Sequence, residues 1–120
     1  MADPETQKIA VVDDDRAVCD SLQFLLEVMG YSVETFLSPD AFLAADHQGI
    51  ARLILDHHMP QMTGLELAEK LLANDLSLPI LLITGSPSPD VVARAGALGI
   101  RVLEKPPSEE DLLDFIDQAD

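Results

Sequence analysis

Short apolar runs alternate five times along the chain with segments in which hydrophobic residues follow helical spacing. The apolar runs are rich in β-branched residues, as is typical of buried strands. They predict strands at residues 9–12, 32–36, 53–55, 80–83 and 100–103. The chain is therefore predicted to form five units in which a strand precedes a helix.

Start and stop signals mark the predicted helices. In the first helix one apolar face is formed by Val18, Leu22, Leu25, Leu26 and Met29. Gly30 then provides a stop signal, because glycine readily adopts the left-handed conformation found after a helix. The Ser-Pro pairs at 38–39 and 88–89 predict helix starts, and residues 63–66 match a capping box. Ser108 is predicted to begin the last helix.

Continuous apolar strands that alternate with helices predict a parallel sheet covered by helices on both faces. The strand at 32–36 differs from the first, third and fourth strands, because its apolar and polar residues alternate as in an edge strand. This difference favours a flavodoxin-like (βα)5 fold, an α/β architecture whose doubly wound parallel sheet has the strand order 2-1-3-4-5. In such a sheet the functional site lies beyond the carboxyl ends of the strands.

The composition agrees with one globular domain over residues 1–120, since 48% of the residues are hydrophobic and 24% are charged. Cys19 is the single cysteine and cannot form an internal disulfide, which favours a reducing compartment. No apolar run approaches the roughly 20 residues of a membrane helix, and residues 1–6 lack signal-peptide character. A net charge of −15 opposes binding to nucleic acids and anionic membranes. We therefore expect a cytoplasmic domain.

Side chains that could carry out chemistry follow four of the predicted strands. Three aspartates at 13–15 follow the first strand, while Asp56, Thr84 and Lys105 follow the third, fourth and fifth. Carboxylates crowded at one edge of a sheet repel one another unless a cation neutralises them. Lys105 offsets one charge, and the remaining oxygen ligands suit Mg²⁺. With the Thr84 hydroxyl they form a cradle for a phosphoryl group, in which an aspartate oxygen attacks phosphorus.

Four sequence blocks at these strand ends resemble the signature blocks of response-regulator receiver domains. They are Val-Val-Asp-Asp-Asp at 11–15, Asp-His-His-Met-Pro-Gln-Met-Thr-Gly at 56–64, Ile-Thr-Gly at 83–85 and Glu-Lys-Pro at 104–106. The blocks occur in order and at family spacing along the whole chain. The Lys-Pro-Pro ending at 105–107 is similar to that of receivers that precede LuxR-type DNA-binding domains.

The resemblance implies a magnesium site at the strand ends. Asp14 is expected to bind Mg²⁺ directly and Asp13 through water. Asp56 is a further expected ligand, and the backbone carbonyl of His58 would complete the set. Because adjacent side chains point apart, we expect His57 and His58 to lie in a solvated loop, where His58 modulates access to Asp56.

The resemblance also implies a phosphorylation switch in two-component signalling. Asp56 is the expected phosphoacceptor, Lys105 pairs with the phosphoryl group and precedes a cis peptide bond, and Thr84 bonds a phosphoryl oxygen and moves inward. A histidine kinase or phosphotransfer protein is the implied donor. The domain would catalyse only its own phosphorylation and slow dephosphorylation. Output would pass to a downstream protein or an attached DNA-binding domain, and a phosphorylation-dependent homodimer is compatible with this role.

Departures from the family pattern leave two alternatives open. Val102 stands where many receivers carry Phe or Tyr, and two prolines stiffen the stretch 84–89. A pseudo-receiver, which docks a protein without turning over phosphate, is therefore one alternative. Asp13-x-Asp15 and residues 82–85 also resemble haloacid-dehalogenase-type phosphatases, the second alternative. Against it, a helix is predicted directly after Asp15, which we expect to cap that helix, and this leaves no room for the phosphatase flap.

Overall fold

The computed structural model describes residues 8–118. The expectations for residues 1–6 and for both ends of the predicted domain lie outside this range. Strands and helices alternate as β1 (Lys8–Val12), α1 (Arg16–Val28), β2 (Ser32–Phe36), α2 (Pro39–Ala44), β3 (Ile50–Asp56), α3 (Gly64–Ala73), β4 (Ile80–Thr84), α4 (Pro89–Ala97), β5 (Arg101–Glu104) and α5 (Glu109–Gln118). In the described part of the chain, no helix combines the length and apolar character needed to cross a membrane.

The strands form one parallel sheet in the order β2-β1-β3-β4-β5. This order confirms the predicted flavodoxin-like topology, with β2 at an edge and β1 beside β3. The register pairs Val12 with Leu55 and Thr84 with Glu104. Asp13 follows Val12 and Asp56 follows Leu55, while Lys105 follows Glu104. The register therefore brings these side chains to the same edge of the sheet.

Local capping explains where the helices begin and end. Gly30, just beyond α1, has a φ angle of 99°, which glycine adopts without steric conflict. Ser38 and Ser88 each accept a hydrogen bond from a backbone N–H in the first turn of α2 and α4. Thr63 and Glu66 form a capping box at the start of α3, where each side chain accepts from the backbone N–H of the other. The predicted start and stop signals are thus confirmed.

Helices on both faces of the sheet create two hydrophobic cores. On one face α1 and α5 pack against the strands, and Leu26 and Ile116 are buried beside Ile54. On the other face α2, α3 and α4 cover Leu53 and Leu55. Successive residues of a strand point to opposite faces. The continuous apolar run of β3 therefore supplies both cores at once.

Strand β3 is longer than the sequence predicted, because it extends from Ile50 to Asp56 and not only over 53–55. The extension includes Arg52, of which only 3% is exposed. A buried charged side chain requires polar partners, and the Nε–H of Arg52 donates a hydrogen bond of 3.2 Å to the backbone carbonyl of Ile116. This tertiary contact allows the strand to continue through a charged residue.

Candidate functional site

Three carboxylates converge at the carboxyl ends of β1 and β3. Asp13, Asp14 and Asp56 can each offer one oxygen such that these ligand atoms all lie within 4.8 Å of one another. Asp13 and Asp56 are buried, whereas Asp14 is exposed to solvent. Asp15 does not join the cluster. It caps α1, as predicted, by accepting hydrogen bonds from the backbone N–H groups of residues 17 and 18.

Lys105 lies between the two buried carboxylates. Its Nζ is 2.8 Å from Oδ1 of Asp56 and 3.3 Å from Oδ2 of Asp13. Burial tends to lower the pKa of Lys105, but the two carboxylates outweigh this effect, so its pKa is raised. Its backbone N–H donates to the carbonyl of Thr84 at 2.9 Å. The Lys105–Pro106 peptide bond is cis, as the resemblance implied.

The carboxylate cluster carries excess negative charge. Burial raises the pKa of Asp13, and the neighbouring charge of Asp56 adds to this shift, although a hydrogen bond from the backbone N–H of Asp15 opposes it. Oδ1 of Asp56 is buried and forms an ion pair with Lys105. Three carboxylates beside one ammonium group leave negative charge in excess, and their hard oxygen donors fit a divalent cation such as Mg²⁺. Asp13, Asp14 and Asp56 are the side chains that would hold it.

The hydroxyl of Thr84 faces His58 rather than a carboxylate. Thr84 ends β4 and has no exposed surface. Its Oγ1 accepts a hydrogen bond of 3.2 Å from the backbone N–H of Ser86 and lies 2.9 Å from Nε2 of His58. Sequence reasoning assigned His58 a ligand role only through its backbone carbonyl and missed this side-chain contact. No local pattern reports it, because the two residues are 26 positions apart.

The two adjacent histidines do not point apart, so that prediction is wrong. The rings of His57 and His58 meet edge to face, with centroids 5.2 Å apart. His57 is half-buried, and its Nδ1 finds no hydrogen-bond partner in the described part of the chain. Burial lowers the pKa of His57, and the proximity of His58 contributes to the same shift. The loop after β3 is therefore packed on one side and solvated on the other.

Gly64 is a further residue of the site, which the sequence analysis placed in the capping box and in the signature block at 56–64 without assigning it a role. Its backbone N–H donates a hydrogen bond of 3.1 Å to the carbonyl of His57. A Cβ atom at this position would overlap the carbonyl oxygen of Asp56 and lie 2.7 Å from Cδ1 of Leu82. The start of α3 can approach the Asp56 backbone this closely because residue 64 has no side chain.

An apolar cavity flanks the site. It has a volume of about 450 Å³ and lies between α1 and the segment that follows β5. Its walls include Val18, Leu22, Leu25, Ile83, Pro106 and Pro107. Lys105, whose ammonium group contacts Asp13 and Asp56, also lines this cavity.

Together, the fold and the site define a doubly wound α/β domain with an acidic edge at the carboxyl ends of its strands. Residues 9–117 match the response regulator receiver domain family. The chain therefore belongs to this family and is a receiver domain of two-component signalling. Such domains are parts of response regulators and are not classical enzymes. Its acidic pocket is consistent with a phosphoacceptor site.

Similar proteins agree with this assignment. The chain is 36% identical over 113 residues to the transcriptional regulatory protein FixJ of Bradyrhizobium diazoefficiens, covering 92% of this chain and 55% of that protein. It is 39% identical over 113 residues to the response regulator protein TmoT of Ectopseudomonas mendocina, covering 92% and 51%. The chain thus spans about half the length of these curated relatives.

Solved structures show the same fold. The crystal structure of FixJ-N superposes with a TM-score of 0.86 at 31% identity, covering 99% of this chain and 94% of that chain. A CheY-like receiver domain protein from Methanospirillum hungatei gives a TM-score of 0.85 at 30% identity, covering 93% and 91%. The phosphatase alternative loses its support here, since α1 begins at Arg16, directly after Asp15, and leaves no inserted flap between them.

Proposed function

We propose that Asp56 is the phosphoacceptor of this receiver and that Asp13, Asp14 and Asp56 hold Mg²⁺, with the backbone carbonyl of His58 completing the protein ligands. The observation that carries the proposal is the place of the buried Asp56 carboxylate, which follows the central strand β3 and has Nζ of Lys105 2.8 Å from its Oδ1. The carboxylates of Asp13 and Asp14 lie beside it. A carboxylate that attacks phosphorus needs cations that neutralise the phosphoryl oxygens, and Lys105 together with the proposed Mg²⁺ would supply them.

In this mechanism a carboxylate oxygen of Asp56 attacks the phosphorus of the donor. A bond forms between this oxygen and phosphorus, and the bond between phosphorus and the donor's histidine nitrogen breaks, with its electron pair leaving on the nitrogen. Bound Mg²⁺ supplies charge neutralisation for the phosphoryl oxygens. Lys105 is placed to transfer its ion pairing from Asp56 to a phosphoryl oxygen, and the Thr84 hydroxyl can donate to another.

The proposed activity remains confined to the domain itself. Asp56 receives a phosphoryl group from a histidine kinase or a phosphotransfer protein, and the same side chains support slow hydrolysis of the aspartyl phosphate. The apolar cavity beside Lys105 supports docking of the donor, because it brings a hydrophobic surface next to the acceptor. We further propose that residues 1–120 constitute a single receiver domain of a cytoplasmic regulator.

The proposed output follows from the relatives. FixJ is a transcriptional regulatory protein, and this chain spans 55% of its length. An attached DNA-binding domain or a separate downstream protein would read a population shift at the α4 face, which a phosphorylation-dependent homodimer could also use. The receiver itself is not the DNA-binding part, since its net charge of −15 repels phosphate backbones.

The test is the intact mass after incubation with acetyl phosphate, with and without Mg²⁺. We expect one added phosphoryl group that requires Mg²⁺, no addition to Asp56→Asn, and reduced addition to Asp14→Asn. Asp75→Asn is the matched control, because Asp75 is an exposed acid between α3 and β4. Addition that survives Asp56→Asn would refute the acceptor. An unchanged wild-type mass would favour the pseudo-receiver alternative.

A further inference from the structure

The hydrogen bonds of Thr84 can be fully accounted for. A threonine hydroxyl has one proton to donate and two lone pairs to accept with. Oγ1 of Thr84 already accepts from the Ser86 N–H. Within residues 8–118, its only other hydrogen-bond partner is Nε2 of His58, at 2.9 Å. Because Thr84 has no exposed surface, its proton would be unsatisfied unless this nitrogen accepts it.

We infer that the imidazole of His58 is a latch that holds the Thr84 hydroxyl in the unphosphorylated protein and competes with an incoming phosphoryl oxygen for its proton. The inference rests on the function proposed above and deepens it, because it names what the hydroxyl must leave. In the resting state the Thr84 hydroxyl donates a hydrogen bond to Nε2 of His58, and the proton of the neutral ring is on Nδ1. In the phosphorylated state the same hydroxyl donates to a phosphoryl oxygen instead.

The position of His58 suits such a latch. Its side chain is exposed, whereas the hydroxyl that it contacts is buried, so the ring can leave without opening the core. The magnesium role proposed for His58 uses its backbone carbonyl, which any substituted residue retains. The side chain is therefore free to act on Thr84 independently of metal binding.

The latch also gives the switch two distinct states. Many receivers use an aromatic ring three residues before the lysine, but this chain has Val102 there. Val102 is partly buried against the core and has almost no freedom about χ1. A resting hydrogen bond to His58 and an active hydrogen bond to the phosphoryl group provide two discrete arrangements of Thr84 without such a ring. When this receiver binds a phosphoryl mimic, the free energy of breaking the hydrogen bond between Thr84 and His58 reduces the affinity.

A double-mutant cycle tests the latch. Affinity for beryllofluoride in saturating Mg²⁺ is measured for wild type, His58→Ala, Thr84→Val and the double variant. We expect His58→Ala to bind about five-fold more tightly, equivalent to about 1 kcal/mol, the typical net value of one hydrogen bond. In the Thr84→Val background, His58→Ala should change nothing. Unchanged or weaker binding by His58→Ala, or a gain that persists without the hydroxyl, would overturn the inference.

A spectroscopic readout separates this inference from the proposed function. The ¹⁵N shifts of the His58 ring in the free protein should show an unprotonated Nε2 that accepts a hydrogen bond, and Thr84→Val should remove that signature. A protonated Nε2 in the neutral ring would refute the latch even if Asp56 is phosphorylated normally. A failure of the proposed function would be recognised by a different result, because the mass of the wild-type protein would then stay unchanged after incubation with acetyl phosphate.

Discussion

The two sides of the site differ in how deeply they are packed. In β1 four of the five residues are buried, and in β3 six of the seven. Helix α3 buries five of its ten residues. On the other side, no residue of β5 is buried, and among the residues of α4, all of which are described, only Ala95 is buried. We call the first set (β1, β3, α3) the inner region and the second (α4, β5) the outer region.

This difference separates chemistry from readout. The carboxylates of the acidic cluster follow β1 and β3, so the inner region fixes their positions. Thr84 leads into the loop before α4, and Lys105 follows β5, so both contact the outer region. Segments with few buried apolar contacts rearrange at low free energy. We therefore expect the outer region to change conformation while Asp56, the proposed acceptor, and the proposed metal ligands stay in place.

The largest expected contrast is between truncations in the two regions. Leu67 in α3 has no exposed surface, so Leu67→Ala should lower the free energy of unfolding by about 2–5 kcal/mol. Val92 in α4 is 47% exposed, and Val92→Ala should stay within about 0.5 kcal/mol of wild type. Urea denaturation measures both. Equal losses would show that α4 is as firmly packed as α3.

Two helical glycines offer a second contrast, of opposite sign. Gly64→Ala places a methyl group against the Asp56 carbonyl and should destabilise the fold by about 1–3 kcal/mol. Gly96 in α4 has no atom within 4 Å of an added Cβ, so Gly96→Ala should stabilise by about 0.5–1 kcal/mol. Thermal unfolding distinguishes the signs. A neutral Gly64→Ala would mean that α3 can move away from Asp56.

Thiol reactivity compares solvent access at two positions: the buried Cys19 of α1, which packs against the sheet, and an exposed position of α4. Cys19 is buried, and burial together with the charge of Asp13 raises its pKa from 9.0 to about 11. At pH 8 alkylation of Cys19 in the native protein should be about a hundred-fold slower than alkylation of the exposed Ala93→Cys in a Cys19→Ala background. Comparable native rates would contradict the burial of Cys19.

The same shift makes stability depend on pH. Because the pKa of Cys19 is raised in the folded state, its protonated thiol contributes to the free energy of unfolding below pH 9, and this contribution is lost as the pH rises towards 11.

The smallest change is expected within the outer region itself. Amide chemical shifts with and without beryllofluoride should move at residues 85–91, because Thr84 pulls on this loop directly. Residues 101–103 should stay nearly silent, since Val102 is too small and stiff to carry a displacement to the surface. Large shifts along 101–103 with a quiet loop would show that β5 transmits the signal despite the missing ring.

Local signals explain why so much of the fold could be predicted. The Ser-Pro pairs, Gly30 and the box at 63–66 act within a few residues of themselves, and each marks an observed helix end. The site residues could be grouped because parallel strands place their carboxyl ends at one edge. The contact of His58 with Thr84 and the burial of Arg52 depend on how distant segments pack. No pattern of neighbouring residues encodes them.

The buried hydrogen bond between Arg52 and Ile116 has a mechanical consequence. A pull on the end of α5 is delivered to β3, at the centre of the sheet. Arg52 and Asp56 lie about 13 Å apart along that strand at the usual rise per residue. Arg52 leaves β3 on the same face as Ile54, which is the face that α1 and α5 cover. A displacement of the end of α5 therefore reaches the strand that carries Asp56 across the layer between helix and sheet, without passing through β5 or the loops.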